Sequence, residues 1–153
     1  MSKTGAEVYS KPAVVGVVIE ASVERVLETM CFSAVMGPAE MELAQASLGI
    51  GARVDFQGPT QGAVLIGCSP AGAQTLTRNF LGTEDITDLQ VLQFVSELAN
   101  MICGAVVSTF GAPGQYDLGS PDPVASTALV ATNGTRVDFE LEEGFLSVVA
   151  YQA

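Results

Sequence analysis

An α+β fold is predicted: a single antiparallel sheet with helices packed on one face, assembled from two pseudo-duplicated halves. Three observations lead there. Asp85 to Phe110 (DITDLQVLQFVSELANMICGAVVSTF) is the longest stretch whose apolar residues recur at helical steps. Several short runs alternate with period two and are separated by Gly, Pro and Asn turns. The order along the chain is helix, strands, helix, then long helix and strands, without the strict strand–helix alternation of a parallel sheet. Each half thus runs helix first and antiparallel strands after, although no fixed-period repeat is visible in the sequence.

Residues 1–12 are polar and expected to be loose, leaving residues 13–153 as a single domain. Ala13 to Val35 carries a helical pattern (Val18, Ala21, Val23, Val26, Leu27, Met30, Ala34), with Glu20, Glu24 and Glu28 as an acidic stripe on its outer side. The alternative start is a short strand over Val14 to Ile19, with Ser22 as the helix cap. Gly37 and Pro38 end the element, and Glu40 to Ser47 alternates weakly, as a strand would. Ile50 to Gln57 and Ala63 to Cys68 read as a hairpin around Gly58 to Gly62. Ser69 and Pro70 open a helix to Phe80, closed by Leu81 and Gly82.

The long helix has three candidate caps: Thr83, Asp85, and Thr87 with Gln90 at capping-box spacing. Its expected buried face is Leu92, Val95, Leu98, Ala99, Ile102, Ala105 and Val106; Gly111, Pro113 and Gly114 end it. Gln115 to Leu118 is short and extended, and Gly119 to Pro123 is a loop. Ser126 to Ala131, Thr135 to Leu141 and Phe145 to Tyr151 read as three strands, the first two joined by an Asn133-Gly134 hairpin turn. Because Phe145 to Tyr151 is apolar on both sides, it is expected to be a sheet edge that another chain covers.

Composition excludes several function classes. Seventeen acidic residues against six basic give a net charge of −11, which argues against nucleic-acid binding and against attachment to anionic membranes. There is no histidine, so Ser-His-Asp and Cys-His catalysis are unavailable. Cys31, Cys68 and Cys103 lack CxxC spacing and sit among apolar neighbours, as buried thiols do; no metal or cofactor site of the chain's own is expected. The apolar run Ala13 to Ile19 is too short to cross a bilayer, which takes about 20 residues, and the start does not read as a secretory signal. A cytoplasmic protein is the expectation.

One stripe does not fit a buried helix. Gln93, Glu97, Asn100 and Gly104 fall within roughly 60° of arc at about 3.6 residues per turn. Glu97 and Asn100 are one turn apart and can act on the same object, while Gly104 removes a side chain beside them. The plain alternative is the solvated face of an amphipathic helix.

The surrounding residues carry a likeness. The motif of the chemotaxis phosphatases typified by CheX, CheC and FliY is Asp or Ser, three residues, Glu, two residues, Asn, twenty-two residues, Pro. Glu97 and Asn100 take the Glu and Asn places, and Pro123 follows Asn100 with twenty-two residues between. Ser96 to Gly104 (SELANMICG) resembles the family's signature helix, and the likeness extends from Val23–Met30 to the last strand. Gln93 stands where the family has Asp or Ser, and Cys31, three after Glu28, stands where a second site would need Asn. One site per chain resembles the CheX branch.

The resemblance implies a hydrolase that removes the aspartyl phosphate of a CheY-like response regulator. It implies Mg²⁺ supplied by that partner and a homodimer joined through sheet edges. Asn100 would orient the attacking water, as a glutamine does in GTPases, since an amide has an acceptor and two donors but is a poor base. Glu97 would pair with a lysine of the regulator. Gln93, Ser96, Gly104 and Pro123 would border the partner. Two other readings stay open: a regulator-binding or flagellar-switch-like module without the chemistry, and a small-molecule domain with a pocket between helices and sheet.

Overall fold

The computed structural model describes residues 12–111 and 114–152. Its elements are α1 (Pro12–Met30), β1 (Val35–Pro38), α2 (Met41–Ser47), β2 (Ile50–Gln57), β3 (Gly62–Cys68) and α3 (Pro70–Leu81). There follow α4 (Asp88–Phe110), β4 (Asp117–Leu118), β5 (Asp122–Val124), α5 (Thr127–Ala131), β6 (Thr135–Leu141) and β7 (Phe145–Gln152). The seven strands form one sheet in the order β1-β6-β7-β3-β2-β4, with β5 also on β2, and every pairing is antiparallel.

This order expresses the expected duplication. Each half is a long helix, an edge strand or pair of strands, a short helix and a two-stranded unit; β3 and β7 pair at the centre, and each half lends its edge strand to the other's β6 or β2. The main core lies between the sheet and α1, α3 and α4. Val54, Phe56, Val64, Ile66, Leu146 and Val148 alternate inward to meet Ile19, Val23, Leu27, Leu98, Ile102 and Val106, all essentially inaccessible. Each large side chain buried there contributes roughly 1.5–3 kcal/mol. Phe80 on α3 and Phe94 on α4 tie the helices together at 5.1 Å between ring centres.

The fold class is the expected one, and several elements within it differ from expectation. Glu40 to Ser47 is the helix α2, not a strand: its Met, Glu, Leu, Ala and Gln favour helix, and Ala44 is buried by it. Ser126 to Ala131 holds the helix α5, not a strand, with Leu129 buried. These two short helices cover part of the sheet's other face, where Leu48 and Leu129 meet Ala63, Leu65 and Val149. Asn133 and Gly134 therefore join a helix to β6 and make no hairpin; a Cβ on Gly134 would lie 2.5 Å from the Ala150 carbonyl oxygen, so close approach explains the glycine.

Gly37 and Pro38, read as terminators, belong to β1, an edge strand that tolerates proline and carries a bulge between Val35 and Gly37. Gly119 to Pro123 is not all loop, because Asp122–Val124 pairs with β2. The edge assignment for Phe145 to Tyr151 is corrected outright. As β7 it pairs with β3 on one side and β6 on the other, and it is apolar on both faces because both are covered. The loose segment expected over residues 1–12 lies outside the described residues except for the start of α1, and α1 is continuous where a strand over Val14 to Ile19 was the alternative. Ala21 and Met30, counted as inward-facing on α1, are exposed.

Candidate functional site on the long helix

The site is built on α4, which begins where Thr87 and Gln90 cap each other. Thr87 N donates to Gln90 Oε1 (2.8 Å) and Gln90 N donates to Thr87 Oγ1 (3.1 Å), so the third candidate cap is the one used. Thr83 instead accepts from the Asp85 amide in the preceding turn. From Val91 to Phe110 ten side chains of α4 are buried. Length and apolarity alone would let this helix cross a membrane, but half of its apolar window is buried in the fold, where Val95, Leu98, Ile102 and Val106 join the core.

The inward face differs from expectation at Leu92, and Ala105 is only half-buried. Leu92 is exposed, and the buried set includes Val91, Phe94, Cys103, Val107 and Phe110 as well as the expected Val95, Leu98, Ala99, Ile102 and Val106. Leu98 and Ala99, between Glu97 and Asn100, are completely buried. The helix is therefore fixed against the sheet at the position from which the two polar side chains project, and a rigid element holds a functional group more closely than a loop does.

Gln93 and Glu97 are exposed; Ser96, Asn100 and Gly104 are half-buried. Among the described residues, neither Glu97 nor Asn100 has a side-chain hydrogen bond or ion pair. A carboxylate and an amide one turn apart, both unengaged and facing outward, are available to another molecule. Gly104 faces Leu118 of β4: a Cβ there would lie 3.9 Å from Leu118 Cδ2, with room to spare.

Pro123 belongs to β5, directly across from Ala52. Paired residues share a face, and Ala52 faces the helices, so the exposed Pro123 ring lies on the α4 side at the sheet's edge. The five helix residues thus lie on one face of α4, and Pro123 on a strand that packs against that helix.

The pseudo-symmetric helix α1 offers no second amide. Glu28 is exposed, but Cys31 follows the end of the helix and is fully buried, where burial pushes its thiol up to about 12. Cys68 and Cys103 are likewise buried and pushed up to about 12, by burial first and then by the nearby Cys31 and Asp55 charges respectively. Buried and held protonated, none of the three presents a thiolate to solvent in the folded chain. Among the described residues no three acidic, thiol or imidazole groups converge as a metal-binding cluster. Leu89, to which the sequence reading gave no role, and Leu92, which it gave to the buried face, are both exposed near the start of α4.

The family model of the chemotaxis phosphatase CheX matches residues 50–139, more than half of the chain. No curated protein gives a significant sequence match. Among solved structures the chain resembles chemotaxis protein CheX from Vibrio vulnificus, with TM-score 0.71 and 18% identity over 94% of this chain and 99% of that one. It also resembles the CheX of a CheX–CheY–BeF₃–Mg²⁺ complex from Borrelia burgdorferi, at TM-score 0.64 and 17% identity over 88% and 95% of the two chains. Thermotoga maritima FliY is similar at TM-score 0.58 and 11% identity, over 100% of this chain and 92% of that one. These likenesses establish the fold, and the sequence match establishes the kinship: the chain belongs to the chemotaxis phosphatase CheX family.

Proposed function

We propose that this protein hydrolyses the aspartyl phosphate of a CheY-like receiver domain in the cytoplasm, using Asn100 and Glu97. The observation that carries the reading is the pair itself: an amide and a carboxylate, one turn apart, unengaged, projecting from a helix that is fixed by a buried core. The Borrelia complex of a similarly folded CheX with CheY supports the choice of partner.

An acyl phosphate is a reactive bond, and most of the acceleration available to a protein comes from placing the nucleophile and offsetting charge. Asn100 accepts a hydrogen bond from the attacking water and holds it in line with the leaving carboxylate, while its NH₂ group bonds elsewhere. The carboxylate of Glu97 grips a lysine of the receiver by a charge-assisted hydrogen bond, which fixes the helix over the phosphate. Mg²⁺ resides in the receiver's own acidic pocket and offsets phosphate charge there. Gln93, Ser96, Gly104 and Pro123 border the docked receiver.

The protein acts as a homodimer joined at a sheet edge. With β7 in the interior, the sheet ends in β1 on one side and β4 and β5 on the other; β1 is the edge proposed, with the exposed Met36 within it and the exposed Phe32 just before it. Sedimentation of Met36→Lys tests this: a mass unchanged from wild type rejects β1 as the interface.

The deciding experiment times the decay of a phosphorylated receiver from the same organism. Asn100→Ala is expected to remove the acceleration and leave binding largely intact; Glu97→Ala is expected to weaken both. Wild-type decay with either variant overturns the site assignment. A protein that binds the phosphorylated receiver without shortening its lifetime is the non-catalytic module instead.

A further inference from the structure

Ten large apolar side chains are exposed among the described residues, and two of them, Leu89 (62% exposed) and Leu92 (49%), stand on the face of α4 that carries Asn100. At about 100° per residue, Leu89 lies within roughly 20° of Asn100 around the helix. Leu92 lies about 80° to one side of Asn100, and Glu97 about 60° to the other. Along the axis the leucines stand about 12 and 16 Å from Asn100, towards the N-terminus of the helix. Scattered exposed leucines are ordinary; a pair three residues apart on one helix, with Leu89 in line with Asn100 along the axis, forms a local apolar patch.

Around that patch the chain is acidic. Glu84, Asp85 and Asp88 are exposed and have no ion-pair partner among the described residues, where the only two ion pairs are Arg53–Asp55 and Arg136–Asp138. The surface that fits here has an apolar centre and a basic rim.

We infer that Leu89 and Leu92 are the principal docking anchor for the receiver domain, seated against an apolar, lysine- or arginine-rimmed patch about 12–16 Å from its phosphorylated aspartate. The inference rests on the receiver-phosphatase reading above. Desolvated apolar anchors supply most of the energy of such interfaces, whereas a rim carboxylate mainly supplies orientation. The helix therefore divides its labour, with binding at its first two turns and chemistry two to three turns on. Leu89 and Leu92 are positioning residues, acting on KM and leaving turnover alone.

The test uses the full chain and a CheY-like receiver from the same organism, loaded with beryllofluoride and Mg²⁺ for binding and phosphorylated for turnover. Leu89→Ala/Leu92→Ala is expected to raise Kd and KM at least tenfold, with kcat within twofold of wild type and an unchanged melting temperature. Leu89→Met/Leu92→Met is expected to restore Kd to within threefold. A Kd for the alanine pair within twofold of wild type overturns the inference, as does a fall in kcat at unchanged KM. So does a change in sedimenting mass with receiver binding unaffected, which would make the patch a contact between copies of this chain. Should Asn100→Ala still turn over while the alanine pair loses binding, the proposed chemistry falls and the docking anchor stands.

Discussion

Thr87 and Gln90 exchange two hydrogen bonds, 2.8 and 3.1 Å, and so fix the residue at which the long helix α4 begins. The pair satisfies two backbone donors at that terminus. Thr87→Ala is expected to lower stability by about 1 kcal/mol, read as a lower urea midpoint with an unchanged m-value. Any acceleration of receiver dephosphorylation should be unchanged, because the buried Leu98 and Ala99 hold the turn that carries Glu97 and Asn100 independently of the cap.

On the sheet face opposite α4, Arg136 and Asp138 form a largely buried ion pair. Arg136 Nε donates to Asp138 Oδ1 at 2.9 Å, Ser147 Oγ donates to the same oxygen at 2.6 Å, and the two side chains are only 12% and 8% exposed. Arg136→Met strands the carboxylate and is expected to cost about 3 kcal/mol. Arg136→Met/Asp138→Leu should recover most of that loss, since it removes both buried charges; denaturant titration of the three proteins checks the pattern.

Two glycines should respond in opposite directions. A Cβ on Gly62 would collide with the Tyr151 carbonyl oxygen across the β3–β7 ladder, so Gly62→Ala is expected to lose roughly 2–3 kcal/mol. At Gly104 the nearest atom to a Cβ is 3.9 Å away and the backbone is helical, so Gly104→Ala is expected to gain up to about 1 kcal/mol. If Gly104 serves close approach by the receiver, the same substitution raises melting temperature and weakens receiver binding, two readouts that a purely structural role would not separate.

All three cysteines are pushed up to about 12 from an ordinary 9.0 by burial. Well below pH 9 the thiols are mostly protonated in both folded and unfolded chains and contribute little pH dependence. Between pH 9 and 12 the unfolded chain releases thiol protons that the folded chain retains, so stability falls as pH rises through that window. Iodoacetamide at pH 8 is expected to leave the native protein unmodified and to label three cysteines in denaturant. Rapid native labelling would mean that these thiols open to solvent.

Strongly periodic elements were legible in the sequence. Ile50–Gln57 and Thr135–Leu141 fall where alternation puts them, and the helix before Gly82 is bounded by Ser69, whose Oγ accepts from the Gly72 and Phe145 amides. Short segments were not legible. Met41–Ser47 and Thr127–Ala131 are five to seven residues long, too few for either period to declare itself, and what decides them is the sheet face on which Ala44, Leu48 and Leu129 are buried. The strands Val35–Pro38 and Asp122–Val124 contain proline and gain their pairing only because β6 and β2 present open edges to them.

By itself the sequence determined the fold class, the long helix with Thr87 and Gln90 among its three candidate caps, and the polar stripe Gln93, Glu97, Asn100, Gly104, because these depend on local periodicity and on residue spacing along one rod. Tertiary structure decided what no local pattern contains. It placed the apolar β7 at the centre of the sheet, with both of its faces covered, and it left Leu89 and Leu92 outside. Which side of a helix is buried depends on where the rest of the chain packs, so an apolar residue near the border of a face can be assigned only once the sheet beneath it exists.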